Sequence, residues 1–67
     1  MIPFAELLAT PTLTDLERDV LVRRYVLDDP AVRIAADLSI TVRAVNLRLA
    51  NARRKIVTHH HLDEEHA

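Results

Sequence analysis

Apolar residues recur at helical spacing in two stretches that follow each other closely in the second half of the chain. The first has Asp29 as a predicted N-cap and Pro30 at the first helical position, where a missing N–H costs nothing. Its apolar positions are Ala31, Ile34, Ala35 and Leu38. After a turn at Ser39, Thr41 is the predicted N-cap of a second helix over residues 42–57. The apolar stripe of that helix is Val42, Val45, Leu49, Ala52 and Ile56.

Two further helices are predicted upstream of this pair. Thr14 and Glu17 have the spacing of a capping box, which predicts a helix that runs to about Val26. Residues 1–12 are predicted to contain a short helix that begins near Pro3. Because two helical turns are unstable alone, this helix must dock on the rest of the chain. We interpret it as a lid on the core in preference to a dimerisation arm.

These elements predict an all-α fold. We expect a small single domain, a four-helix helix-turn-helix in which a short N-terminal helix and two support helices carry a recognition helix. Its parts are an N-terminal helical arm (residues 1–12), a helix-turn-helix domain (13–57) and a flexible tail rich in histidine and acids (58–67). The absence of glycine favours helices over hairpins, whose turns need positive φ angles. Tyr25 is expected in the core, with its hydroxyl group reaching the edge.

Positive charge is concentrated in one segment of the chain. Residues 1–40 hold four arginines and seven acids, residues 41–57 hold five cations and no acid, and the last ten residues hold three acids. The segment charges are therefore −3, +5 and −3, within a chain of net charge −1. A basic helix is the electrostatic footprint expected for phosphate binding. The sequence pI of about 6.4 indicates modest affinity for a single copy.

The face of helix 42–57 opposite its apolar stripe carries arginines and amides and no acid. Such a face suits the major groove of double-stranded DNA, where arginine can bond guanine and asparagine can bond adenine in bidentate fashion. Four residues are predicted to face base edges: Arg43, Asn46, Leu47 and Asn51. Five are predicted to contact phosphates: Thr41, Arg48, Arg53, Arg54 and Lys55.

The stretch from Leu13 to Ile56 resembles region 4 of bacterial sigma factors and the closely similar output domain of LuxR-type regulators. The resemblance implies a helical domain whose last long helix enters the major groove, as in readers of promoter −35 elements. Two residues depart from the family pattern: Ser39 replaces a usual glycine, and Leu47 replaces a small polar residue. Leu47 is consistent with contact to a thymine methyl group or with a protein interface. The matching positions are Leu13-Thr14, Glu17-Arg18, Val20-Leu21, Arg24-Tyr25, Ile34-Ala35, Leu38, Ile40-Thr41, Val45, Arg48-Leu49, Ala52-Arg53 and Lys55-Ile56.

The composition argues against several other function classes. Without cysteine there is no thiolate metal site, and without glycine there is no glycine-rich phosphate loop. The acids are scattered and form no catalytic constellation, so we expect neither enzyme activity nor a cofactor. No segment has the length of a membrane span or the pattern of a signal peptide, so we expect a cytoplasmic, nucleoid-associated protein.

The four histidines of the tail have three interpretations. We favour a solvated, frayed end, since chain termini are usually disordered. A metal site is the second, because His59 with His66, or His61 with Glu65, would share a helix face. In the third, the acids and titrating histidines weaken DNA binding more at high pH than at low pH. We expect no metal.

Two functions from different classes follow from these observations. The first is a sequence-specific, double-stranded DNA-binding transcriptional regulator, a homodimer because one small module buries too little surface for tight operator binding. The alternative is a protein-interaction module, similar to sigma region 4, that binds RNA polymerase, a sigma factor or another regulator. The basic helix favours the first function. The low pI, Leu47 and surplus apolar surface favour the second, and that surface is predicted on Phe4, Leu7, Leu8, Val22 and Val26.

Overall fold

The computed structural model describes residues 2–61 and contains four helices in that range: α1 (Phe4–Leu8), α2 (Asp15–Tyr25), α3 (Ala31–Leu38) and α4 (Val42–His60). The described residues contain no strand. The prediction of a small, all-α, four-helix domain is therefore confirmed. None of these helices is long and apolar enough to cross a membrane.

Helix α2 begins at the predicted capping box. Thr14 Oγ1 accepts a hydrogen bond from the backbone N–H of Glu17 at 3.1 Å, and Glu17 Oε1 accepts one from the backbone N–H of Thr14 at 2.8 Å. Each side chain thus satisfies an otherwise unpaired donor at the helix start. The helix ends at Tyr25, and Val26 is its C-cap.

Helix α3 begins one residue later than the sequence predicted. Pro30, not Asp29, is its N-cap, and no side chain caps it. The reason is that Pro30 is extended, with ψ of 154°, while its carbonyl already accepts the first helical bond from Ile34 at 3.1 Å. Asp29 instead donates its backbone N–H to the carbonyl of Arg23 at 2.9 Å, which closes the connection from α2.

The turn between α3 and α4 is made without glycine. Ser39 adopts the left-handed conformation, with φ of 57° and ψ of 41°, which costs a non-glycine residue about 1 kcal/mol. The backbone N–H of Ile40 then bonds the carbonyl of Ala35 at 2.9 Å and ends α3. Thr41 caps α4 as predicted, because its Oγ1 accepts from the backbone N–H of Ala44 at 3.0 Å.

The core lies where α2 and α3 pack on one side of α4, and the apolar side of α1 rests against it. Arg18 fixes the end of α1 by donating from Nε to the carbonyl of Leu8 at 2.9 Å. Burial of the apolar core side chains is the main favourable contribution to the folding free energy of so short a chain. The buried apolar residues are Leu13, Val20, Leu21, Ile34, Ala35, Val45, Leu49, Ala52 and Ile56.

Helix α4 is longer than predicted, because it continues past Val57 to His60. Its last turn has a tertiary partner. Thr10 is buried, donates its hydroxyl to the carbonyl of Leu7 at 2.6 Å, and lies 3.1 Å from His60 Nε2. The helix therefore ends three residues later than predicted, and the division of the chain into arm, domain and tail stays a prediction. The predicted tail beyond His61, with the possible ligands Glu65 and His66, lies outside the described residues.

Candidate nucleic-acid interface

Helix α4 has one face in the core and the other in solvent. Val45, Leu49, Ala52 and Ile56 are buried against α2 and α3. The predicted base-contacting residues Arg43, Asn46 and Leu47 are exposed on the first two turns of the helix, and Leu47 is 57% exposed. The same packing that buries the apolar stripe therefore presents these side chains to solvent.

Most arginine side chains on α4 have no acidic partner in the part of the chain that the structure describes. Arg43 and Arg48 make no hydrogen bond or ion pair within residues 2–61, so their guanidinium groups are available to a ligand. Over that range five arginines lack a carboxylate partner, and only Arg33 lies outside α4. The other four are Arg43, Arg48, Arg53 and Arg54. The unneutralised positive charge of the described domain is thus concentrated on α4.

Asn51 and Arg54 act as a pair on this helix. Arg54 Nη2 donates to Asn51 Oδ1 at 2.9 Å, across one turn. Asn51 is partly buried and Arg54 is exposed, so the amide holds the guanidinium in place at the surface. The bond uses the carbonyl oxygen of Asn51 and leaves its NH₂ group as a donor, which suits an acceptor such as the N7 atom of a purine.

The N-terminus of α4 offers backbone donors. Thr41 Oγ1 caps the N–H of Ala44, and the backbone N–H groups of Val42 and Arg43 have no partner within the described domain. Free N–H groups at a helix N-terminus suit a phosphate. Thr41 is exposed at this N-terminus, and its contact with a phosphate stays a prediction.

Arg53 lies on a flank of α4 beside α1 and α2. Its Nη1 donates to the hydroxyl of Tyr25 at 3.1 Å. Tyr25 itself is 50% exposed, so its prediction as a core residue is wrong. The reason is that Val20 and Leu21 fill the core, while Tyr25, at the end of α2, packs edge-to-face on Phe4 with ring centroids 6.3 Å apart.

A shallow apolar groove of about 340 Å³ adjoins Arg53. It lies between α1, the second half of α2 and the C-terminal half of α4. The apolar side chains that line it are Phe4, Leu7, Leu21, Tyr25, Ile56 and Val57. This groove is distinct from the solvent face that carries Arg43 and Leu47.

Lys55 is engaged inside the domain. Its Nζ lies 2.8 Å from Glu17 Oε1, the oxygen that also accepts from Thr14, and Glu17 is only 2% exposed. Burial alone would raise the pKa of Glu17, but the hydrogen bonds from Lys55 and Thr14 and the charge of Lys55 outweigh burial and leave this pKa below its ordinary value.

The ion pair engages the charge of Lys55, which the sequence predicts to contact a phosphate. It fastens the start of α2 to the middle of α4 across 38 positions of sequence. Local spacing predicts the capping-box bonds between Glu17 and Thr14. It does not predict the bond between Glu17 and Lys55, because these two residues lie on different helices.

Within the described residues, no group of three or more potential ligands could hold a metal ion. The geometry instead offers exposed guanidinium and amide donors along one helix face, and backbone donors at its start. Donors of these types bind the phosphates and base edges of nucleic acid.

Comparison with protein families matches residues 6–56, about three quarters of the chain, to sigma-70, region 4. Comparison with curated proteins and with solved structures found no match. Region 4 is a helix-turn-helix DNA-binding element of the transcription machinery, its domains bind DNA and core RNA polymerase, and the family is not one of enzymes. The resemblance to sigma region 4 is confirmed, and that to LuxR-type domains stays a prediction. The chain belongs to the sigma-70 region 4 family.

Proposed function

We propose that this protein is a sequence-specific, double-stranded DNA-binding transcriptional regulator that places residues 42–57 of α4 in the major groove. One observation supports this function above the others: four arginines that have no acidic partner among residues 2–61 lie on α4, opposite or beside its buried stripe. Double-stranded DNA has a major groove wide enough for a helix and phosphates on both sides of it.

The residues of the first turns have the chemistry for base recognition. Arg43 has a guanidinium fork with no partner among residues 2–61, and this fork suits the O6 and N7 atoms of guanine. Asn46 is exposed and has the bidentate geometry for adenine. Asn51 reaches a base with its NH₂ group while its oxygen holds Arg54. Leu47 faces the same base edges.

The flanking cations have the chemistry for phosphate contacts. Arg48, Arg53 and Arg54 lie on the flanks and later turns of α4, and the backbone donors next to Thr41 serve one further phosphate. Lys55 acts mainly through Glu17, because that ion pair sets how α4 lies on α2. Its contribution to phosphate binding is indirect.

We also propose that the protein acts as a homodimer in the cytoplasm, beside the nucleoid. A single module of this size buries too little DNA surface for tight binding. Two copies on two half-sites would double the contacts and select for half-site spacing.

The test is fluorescence anisotropy with a duplex selected from a random pool, at two salt concentrations. Arg43→Ala should weaken the selected duplex by about tenfold or more and relax its preference over a scrambled duplex. Arg54→Ala should weaken both duplexes alike and lower the salt slope by about one.

Arg33→Ala is the matched control, because Arg33 is exposed and has no acidic partner among the described residues but lies on α3. It should leave both affinities nearly unchanged. Equal effects of Arg33→Ala and Arg43→Ala would show that binding depends on overall charge and not on α4.

The apolar groove beside Arg53 favours a second function, a protein-interaction module that binds RNA polymerase, a sigma factor or another regulator. A groove of this kind accepts one apolar face of a partner helix, and Arg53 suits an acid on the rim of that helix. Phe4→Ala, in a variant whose folding is verified, should then abolish binding to polymerase in a pull-down and spare DNA binding. Arg43→Ala should have the opposite pattern.

A further inference from the structure

Leu47 is a large apolar side chain on a mostly polar surface that also exposes Ala50. It lies on the face of α4 opposite the buried stripe, with Arg43 one turn before it and Asn51 one turn after it. At 57% exposure it adds little to the core of the domain. The other large apolar side chains that the structure exposes lie at the end of α2, in the α2–α3 connection, at the start of α3 or at the first position of α4.

The largest apolar group on the base edges of the major groove is the methyl on C5 of thymine. The other groups there are hydrogen-bond donors and acceptors, together with small C–H groups such as C5–H of cytosine. An apolar side chain between two donor side chains therefore gains most from contact with such a methyl group. Cytosine and uracil lack the methyl group, whereas 5-methylcytosine carries it at the same place.

We infer that Leu47 reads the C5 methyl group of a pyrimidine in the DNA site. Thymine and 5-methylcytosine are then preferred at that position over uracil and cytosine, and the protein distinguishes methylated from unmethylated cytosine there. This inference rests on the proposed function, because it requires α4 in the major groove. It specifies which chemical group the protein reads at one base of the DNA site.

The first test replaces each thymine of the selected duplex, one at a time, by deoxyuridine. This change removes a methyl group and leaves base pairing intact. At one position per bound helix, affinity should fall by about fourfold, the effect of losing one buried methyl group. At all other thymines it should change little.

Two variants test whether Leu47 is the side chain that distinguishes thymine from uracil. Leu47→Ala should bind thymine and uracil equally at the sensitive position. Leu27→Ala is the matched control, because Leu27 is 59% exposed but lies in the connection between α2 and α3, and it should keep the fourfold preference. Both positions are exposed, so neither variant should unfold the domain.

The second test places a cytosine–guanine pair at the sensitive position, with and without a C5 methyl group on the cytosine. The methylated duplex should bind about fourfold more tightly to the wild-type protein and no more tightly to Leu47→Ala. The inference would be overturned if no thymine of the selected duplex were sensitive to replacement by deoxyuridine, or if Leu47→Ala kept the preference for the methylated base. In both cases sequence-selective DNA binding would stand. Failure to recover any preferred duplex would overturn the proposed function and this inference together.

Discussion

Replacing Lys55 by methionine is predicted to destabilise the domain in a pH-dependent way. Methionine keeps an unbranched apolar stem and removes the charge, so Glu17 is left buried with only the capping-box bond from Thr14. Breaking a fully buried ion pair costs about 3–5 kcal/mol. The Lys55 side chain is 32% exposed, so water already reaches it, and we expect a loss of about 2 kcal/mol near neutral pH.

The sign of the pH dependence follows from the pKa of Glu17. In the wild-type protein this pKa lies below its ordinary value of 4.5, so the pair contributes its full stability above that value. The contribution is lost as pH falls through the folded-state pKa. In Lys55→Met, burial without the lysine raises the pKa of Glu17, so protonation at low pH relieves the buried charge. The stability difference between the two proteins must therefore shrink as pH falls from the raised pKa of Glu17 in the variant to its lowered pKa in the wild-type protein.

Urea denaturation followed by circular dichroism measures the loss of stability and its pH dependence. In thermal denaturation at pH 7, the melting temperature of Lys55→Met should fall by roughly 10 °C for a domain of this size. Arg54→Met is the control, since Arg54 is the neighbouring residue and, within the described range, bonds only Asn51 at the surface. This variant should cost under about 0.5 kcal/mol. An equal cost for both variants, or a difference that grows as pH falls, would refute the assignment of this ion pair.

Three further substitutions test the local structure, each by urea denaturation. Ser39→Gly should raise the free energy of unfolding by about 0.5–1 kcal/mol, since glycine adopts the left-handed conformation without strain; a loss of stability would contradict the assigned turn. Thr41→Ala should cost about 1 kcal/mol by removing the α4 cap, whereas Thr58→Ala, exposed near the end of the same helix, should cost nothing; equal losses would argue against capping. Thr10→Val should cost about 1–2 kcal/mol, because the hydroxyl joins Leu7 to His60, and an unchanged stability would show that this contact is not formed in solution.

The order and type of the helices could be predicted because their signals are local. The capping box at Thr14, the cap at Thr41 and the apolar stripe from Val45 to Ile56 each depend on residues within a few turns of one another. Periodicity also places Leu47 on the solvent face, since a buried stripe fixes the opposite side of the same helix.

The features that the sequence did not predict depend on distant residues. The last turn of α4 contacts Thr10 through His60, and Lys55 pairs with Glu17. The sequence predicts Tyr25 in the core, whereas its position at the end of α2 puts it at the surface. Each of these required knowledge of how helices pack on one another.

The proposed function requires that the exposed face of α4 binds double-stranded DNA. The most direct test is an NMR titration of the isotopically labelled protein with its selected duplex. DNA binding through this face should give the largest shift changes at the backbone amides of Val42 and Arg43 and at the side chains of Arg43, Asn46 and Asn51, with little change along the groove beside Phe4. Shift changes confined to that groove, or absent from α4 at low salt, would contradict DNA binding by this face.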